Sequence, residues 1–123
     1  MALAISILSV EPAGDAIRIL FNVTPSGNYV TGGDTLDFTK ASQDAAFIGL
    51  IAAIESSQAP ISLDVWDAGG NLANGVFPVL GTTQANSKLK FTSAFNTELA
   101  AAGYPGSITG SKLQGEAVFH RNL

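Results

Sequence analysis

The chain of 123 residues contains no cysteine. That absence excludes a disulfide framework, a thiolate zinc site and a cysteine nucleophile, and it leaves the redox compartment open. Charge is scarce as well. Asp, Glu, Lys and Arg together make up 13% of the residues, about half the share usual in soluble domains. A surface this poor in charge is expected to be partly covered by neighbouring subunits or partners, unless small polar residues coat it. The formal net charge is −4, and the six cations, Arg18, Lys40, Lys88, Lys90, Lys112 and Arg121, are scattered. Nucleic-acid binders need clustered Lys and Arg, so no nucleic-acid partner is expected. Nor is there a long apolar run. The segment Met1 to Leu8 is apolar, but it lacks the positive flank of a signal peptide and is too short to span a bilayer. It reads as a strand of the mature protein, and no membrane partner is expected.

What is present reads mostly as β structure in one domain, residues 1–123, a length able to bury its own core. Leu3, Ile5 and Ile7 fall on one face. After the turn Glu11-Pro12-Ala13-Gly14-Asp15, residues Ile17, Ile19, Phe21 and Val23 alternate with Arg18, Leu20 and Asn22. This is the clearest period-two pattern in the chain, and it predicts a hairpin ended by Pro25. Further strands are predicted from Ile61 to Trp66, from Val76 to Leu80 (where Pro78 implies an edge or a bulge), from Lys88 to Phe95, and from Leu113 to His120. Six or seven short alternating strands with Gly and Pro punctuation predict a mainly β fold, an antiparallel sandwich or barrel with one or two short helical insertions. The first and last strands both look core-forming and are expected to lie side by side.

Two segments read as helical. Asn96 to Gly103 could form one or two turns closed by Gly103. Ala41 to Ser57 is apolar nearly all round, with Phe47, Ile48, Leu50, Ile51 and Ile54 at helical spacing. Burying those five side chains is worth roughly 7–15 kcal/mol of gross transfer free energy. The segment is therefore expected to pack across an open end of the sheets or against another subunit, and these five residues are the candidate oligomer interface.

The stretch Ser26 to Phe38 carries two turn signals, Ser26-Gly27-Asn28 and Gly32-Gly33-Asp34, around the short extended piece Tyr29-Val30-Thr31. One reading is an ordinary double turn joining two strands, with Gly33 at positive φ. The other is a shaped loop that contacts a partner. Tyr29, Val30 and Thr31, with the single tryptophan Trp66, are the candidate partner contacts. Trp66 and Tyr29 could also form a sugar-stacking platform if both were exposed on one face.

The residues offer little chemistry. His120 is the only histidine, and a triad needs an oriented Asp and an activated Ser that the spacing does not supply. Asp34/Asp37 and Asp64/Asp67 are spaced by apolar residues rather than at the dense alternate positions of a calcium loop, and they read as turn caps and solvated strand positions. Gly32-Gly33-Asp34 lacks the following Lys of a phosphate-binding loop. No catalytic residue, metal site or cofactor is expected, and an enzyme is the least favoured class.

Several pieces carry a resemblance. Tyr29-Val30-Thr31-Gly32-Gly33-Asp34-Thr35-Leu36-Asp37-Phe38, then Lys88-Leu89-Lys90-Phe91, Glu98-Leu99-Ala100, Gly103-Tyr104-Pro105 and Ile108-Thr109-Gly110 occur in that order. Together they resemble small virion proteins of tailed bacteriophages, the head decoration or cement proteins. The resemblance implies a mostly β protein without enzymatic activity that binds the outside of the assembled shell as an oligomer. Its partner would be the major capsid protein of the same virion, and its location the virion, assembled in the host cytoplasm. A trimer is favoured, because it matches the local three-fold positions of an icosahedral lattice. Strand edges and the segment Ala2 to Val10 are the expected donors to the shell. Two alternatives remain, a carbohydrate-binding or adhesive module of a tail or fibre, and a tail-tube or connector subunit.

Overall fold

The computed structural model describes residues 3–38, 59–69, 75–94 and 97–120. Strands β1 (Leu3–Ala13) and β2 (Ala16–Pro25) form the predicted hairpin, with Gly14 in the left-handed region at its turn. A bulge between Ile7 and Ser9 shifts the register by one residue. Leu3, Ile5 and Ile7 point inward before it and Val10 after it, while Leu8 is left outside. An inserted residue does this because side chains alternate strictly with period two.

Strand β8 (Leu113–His120) pairs antiparallel with β2, and β4 (Ser62–Asp67) pairs antiparallel with β8, giving a sheet of order β1-β2-β8-β4. The first and last strands are thus separated by β2, which corrects the expectation that they pair with each other. Strand β2 buries Ile17, Ile19, Phe21 and Val23 and takes a central position between two partners. From Leu3 onward the apolar first segment completes its own domain's sheet, with Leu3 and Ile5 almost wholly buried. It does not reach outward as a free donor strand.

The second sheet has the order β3 (Asp34–Leu36), β6 (Ser87–Ala94), β5 (Val76–Val79). A two-residue strand, β7 (Thr97–Glu98), pairs with the far end of β6. Strand β5 is an edge, as Pro78 implied. The two sheets stack as an antiparallel sandwich, with β1 beside β3 on one side and β4 beside β5 on the other. No closed barrel forms among the described residues.

Between the sheets, aromatic rings meet edge to face. Phe38 packs against Phe21 and Phe119 with ring centres 5.1 and 5.2 Å apart, and such pairs add about 0.5–1.5 kcal/mol each beyond burial. Gly115 on β8 makes room for this stack, since a Cβ there would lie 2.4 Å from Cζ of Phe21.

Helix α1 (Gly106–Thr109) is a single turn that buries Ile108. Over the described part of the segment expected to be helical, Thr97 to Gly103, no helix forms. There the Leu99 N–H donates to the carbonyl of Phe91 at 2.9 Å, and the Ala102 carbonyl accepts from Tyr29 N–H at 2.7 Å. These long-range backbone bonds take the groups a helix would need. The expected helix over 41–57, with Phe47, Ile48, Leu50, Ile51 and Ile54, lies outside the described residues.

Candidate partner-contact loop

The loop from Ser26 to Gly33 leaves β2 at Pro25 and returns as β3 at Asp34. Gly27, Gly32 and Gly33 have φ of 70, 92 and 108°, a region that a Cβ disfavours. A turn closes from Gly33 N–H to the Val30 carbonyl at 2.9 Å. The base is tied to the segment before α1 by two backbone hydrogen bonds, which together make one antiparallel bridge. Tyr29 N–H reaches Ala102 and Tyr104 N–H reaches Gly27 at 3.0 Å, so that the bridge pairs Asn28 with Gly103.

Tyr29 is 1% exposed, so its assignment as a surface contact is corrected. Strand alternation does not govern this short loop, and the ring turns into the core between Phe91 and Tyr104, centres 6.1 and 5.8 Å away. Its hydroxyl occupies the seam where the neighbour of β6 changes from β3 to β7. There it accepts the Phe91 N–H at 3.4 Å and donates to Oε2 of Glu98 at 2.6 Å. The same carboxylate oxygen accepts the Gly32 N–H at 2.6 Å. The hydroxyl and the Gly32 N–H together hold the Glu98 carboxyl below the usual carboxylate range. Burial, reinforced by Glu98, pushes the Tyr29 phenol up to about 12. Behind it, the Tyr104 hydroxyl donates to the buried carboxylate of Asp34, and burial followed by this bond raises the Tyr104 phenol.

The result is a loop fixed at both ends and from beneath, with Val30 55% exposed and Thr31 also exposed at the tip. Chemically it can present a small apolar and hydroxyl-bearing surface in one conformation. The carboxylates near it are spent on tyrosine hydroxyls and backbone amides. Sequence reasoning missed Glu98 as the clasp and Asp34 as the partner of Tyr104. Glu98-Leu99-Ala100 and Gly103-Tyr104-Pro105 stood out only as ordered signatures, yet these are the pieces that hold the loop.

Trp66, 37% exposed, lies elsewhere, on the outer face of β4. The structure therefore does not bring Tyr29 and Trp66 together, and the two-ring sugar platform is absent. A cleft of about 260 Å³ lies near the end of the first sheet, lined in part by Asn22, Thr24, Lys112 and Gln114. Asp67 accepts the Gly69 N–H at 3.0 Å, a turn cap as expected, and His120 is exposed at the end of β8. No group of three or more His, Asp or Glu able to hold a metal occurs among the described residues, and none of their helices is long and apolar enough to cross a membrane. Comparison with known proteins finds no matching family model, no matching curated protein and no matching solved structure.

Proposed function

We propose that this chain is a capsid decoration protein, which binds the major capsid protein on the outside of an icosahedral phage head and stabilises it by protein–protein contacts. It acts without catalysis or cofactor. The observation that carries this reading is the clasped loop, whose exposed Val30 and Thr31 are presented on an immobilised base. A contact surface fixed beforehand avoids an ordering cost of about 0.5–1.5 kcal/mol per side chain on binding. Several copies joined in one oligomer, with a closed trimer favoured, would each engage a shell subunit and gain through effective concentration.

Purified protein mixed with expanded, undecorated capsids should sediment with them to a fixed stoichiometry. Burying a valine is worth about 1.5–3 kcal/mol, and each 1.4 kcal/mol is about tenfold in affinity. Val30→Asp should therefore weaken binding by roughly ten- to a hundredfold per contact, at an unchanged melting temperature because the residue is exposed. Equal binding by Val30→Asp would show that the tip is not the contact. Binding to a polysaccharide with no saturable binding to shells would replace this reading with the adhesive one.

A further inference from the structure

The outer faces of the two sheets differ in charge. On the first, Asp64 of β4 stands directly across from Glu116 of β8, and like charges in direct cross-strand register oppose each other. Arg18 bonds Glu116 at 2.8 Å and Glu11 at 3.2 Å. One guanidinium thus serves two of the three carboxylates described on this face, and neither bond reaches Asp64. Trp66 projects from the same side of β4, across from Gln114. On the second sheet, Phe77 stands across from Lys90 and Val79 across from Lys88, and both apolar side chains are exposed. Glu98, the carboxylate near Lys90, is committed to Tyr29 and Gly32.

The edge of β5 away from β6 is blunted. Thr92 N–H donates to the Gly75 carbonyl, so by antiparallel alternation residues 77 and 79 exchange bonds with β6 while position 78 faces away from it. That position is Pro78, which has no N–H to offer, and such edges resist strand addition. A partner at this side must therefore be met by the side-chain face.

We infer that the partner is a second copy of this chain. The β5–β6 outer face of one copy docks on the β4–β8 outer face of the next, Lys88 and Lys90 meeting Asp64 and Glu116, and Phe77 and Val79 covering Trp66. The two faces complement each other in sign and in apolar content, and the cations supply what the acidic face lacks. The contact is heterologous, since different patches meet, and successive copies form a ring or a filament according to the rotation between them. It is independent of the loop tip and of what the tip binds.

Sedimentation velocity from low to high micromolar concentration tests this with no capsid present. Wild type should associate, less so at high salt. The double variant Lys88→Glu/Lys90→Glu and the variant Asp64→Lys should each associate at least about tenfold more weakly, with thermal unfolding confirming that each is folded. Mixing the two variants should restore assembly, because their exchanged charges complement each other. A wild type that stays monomeric, variants that associate as wild type does, or failure of the mixture to assemble would each overturn the inference.

Discussion

Glu98 is one carboxylate doing what a longer loop-anchoring element would otherwise do. Charge-assisted hydrogen bonds are shorter and stronger than neutral ones, and two of them at 2.6 Å converge on Oε2. Because its folded-state pKa lies below the ordinary value of 4.5, the stabilisation is fully present above that value and is lost as pH falls through the depressed one. Tyr29 behaves in the opposite sense. Its phenol is raised from 10.0 to about 12, so its contribution is present below the first value and is lost as pH rises toward the second. Glu116, held low by Arg18, adds to the same acid limb, and the diagnostic is therefore the difference between wild type and variant. Glu98→Gln should lower the melting temperature near neutral pH by a few degrees, and the gap should close as the pH falls below the ordinary carboxylate value. Tyr29→Phe should cost about 1–3 kcal/mol, since it leaves the Phe91 N–H buried without its acceptor, and should make the alkaline limb shallower, with the raised Tyr104 phenol keeping its own share. Melting curves followed by circular dichroism across pH measure both. A gap between wild type and Glu98→Gln that persists unchanged into strong acid would show that this carboxylate is not what titrates.

At the level of elements, local signals were legible in the sequence and remote ones were not. The inward sets Ile17-Ile19-Phe21-Val23 and Leu113-Gly115-Ala117-Phe119 were readable because alternation is a property of each strand alone. Gly33 was readable for a similar reason, because a Gly-Gly-Asp turn demands positive φ wherever it sits. The clasp of Tyr29 by Glu98 was not readable, because it joins residues from opposite halves of the chain. Local helix preference also misled. The run Leu99-Ala100-Ala101-Ala102 favours helix by propensity, but a few tenths of a kcal/mol per residue yields to the backbone bonds that Leu99 and Ala102 make with Phe91 and Tyr29. Gly33 gives the sharpest test at this scale. Its φ is 108°, and a Cβ there would lie 3.0 Å from the Leu89 carbonyl oxygen and 3.1 Å from Cγ of Lys90. Gly33→Val should cost about 1–3 kcal/mol from backbone strain alone, a fall in melting temperature of roughly 5–15 °C. An unchanged melting temperature would mean that the turn relaxes freely and that the tip is not held as described.

For the whole molecule, the decisive element is the strand that comes late in the chain. Strand β8 lies between β2 and β4, with Leu113 across from Val23 on one side and from Asp67 on the other. It supplies Leu113, Ala117 and Phe119 to the core, and it is what joins the early hairpin to the middle of the chain. The β1–β2 hairpin can form from local contacts alone, but the first sheet cannot close until β8 arrives. A topology ruled by such distant pairings folds in about milliseconds to seconds, after a loop-closure cost that only later contacts repay. A chain ended after Gly110 would keep the residues of every strand except β8. It would leave the inward face of β2 uncovered on one side and β4 with no sheet partner among the described strands. Such a chain should show no cooperative thermal transition and should bind hydrophobic dyes, although it retains almost nine-tenths of the sequence. Calorimetry of the truncated and full-length chains decides the point. A sharp transition in the truncated chain would mean that β2 and β4 can pair directly, so that β8 is an addition to a finished core and not the strand that completes it.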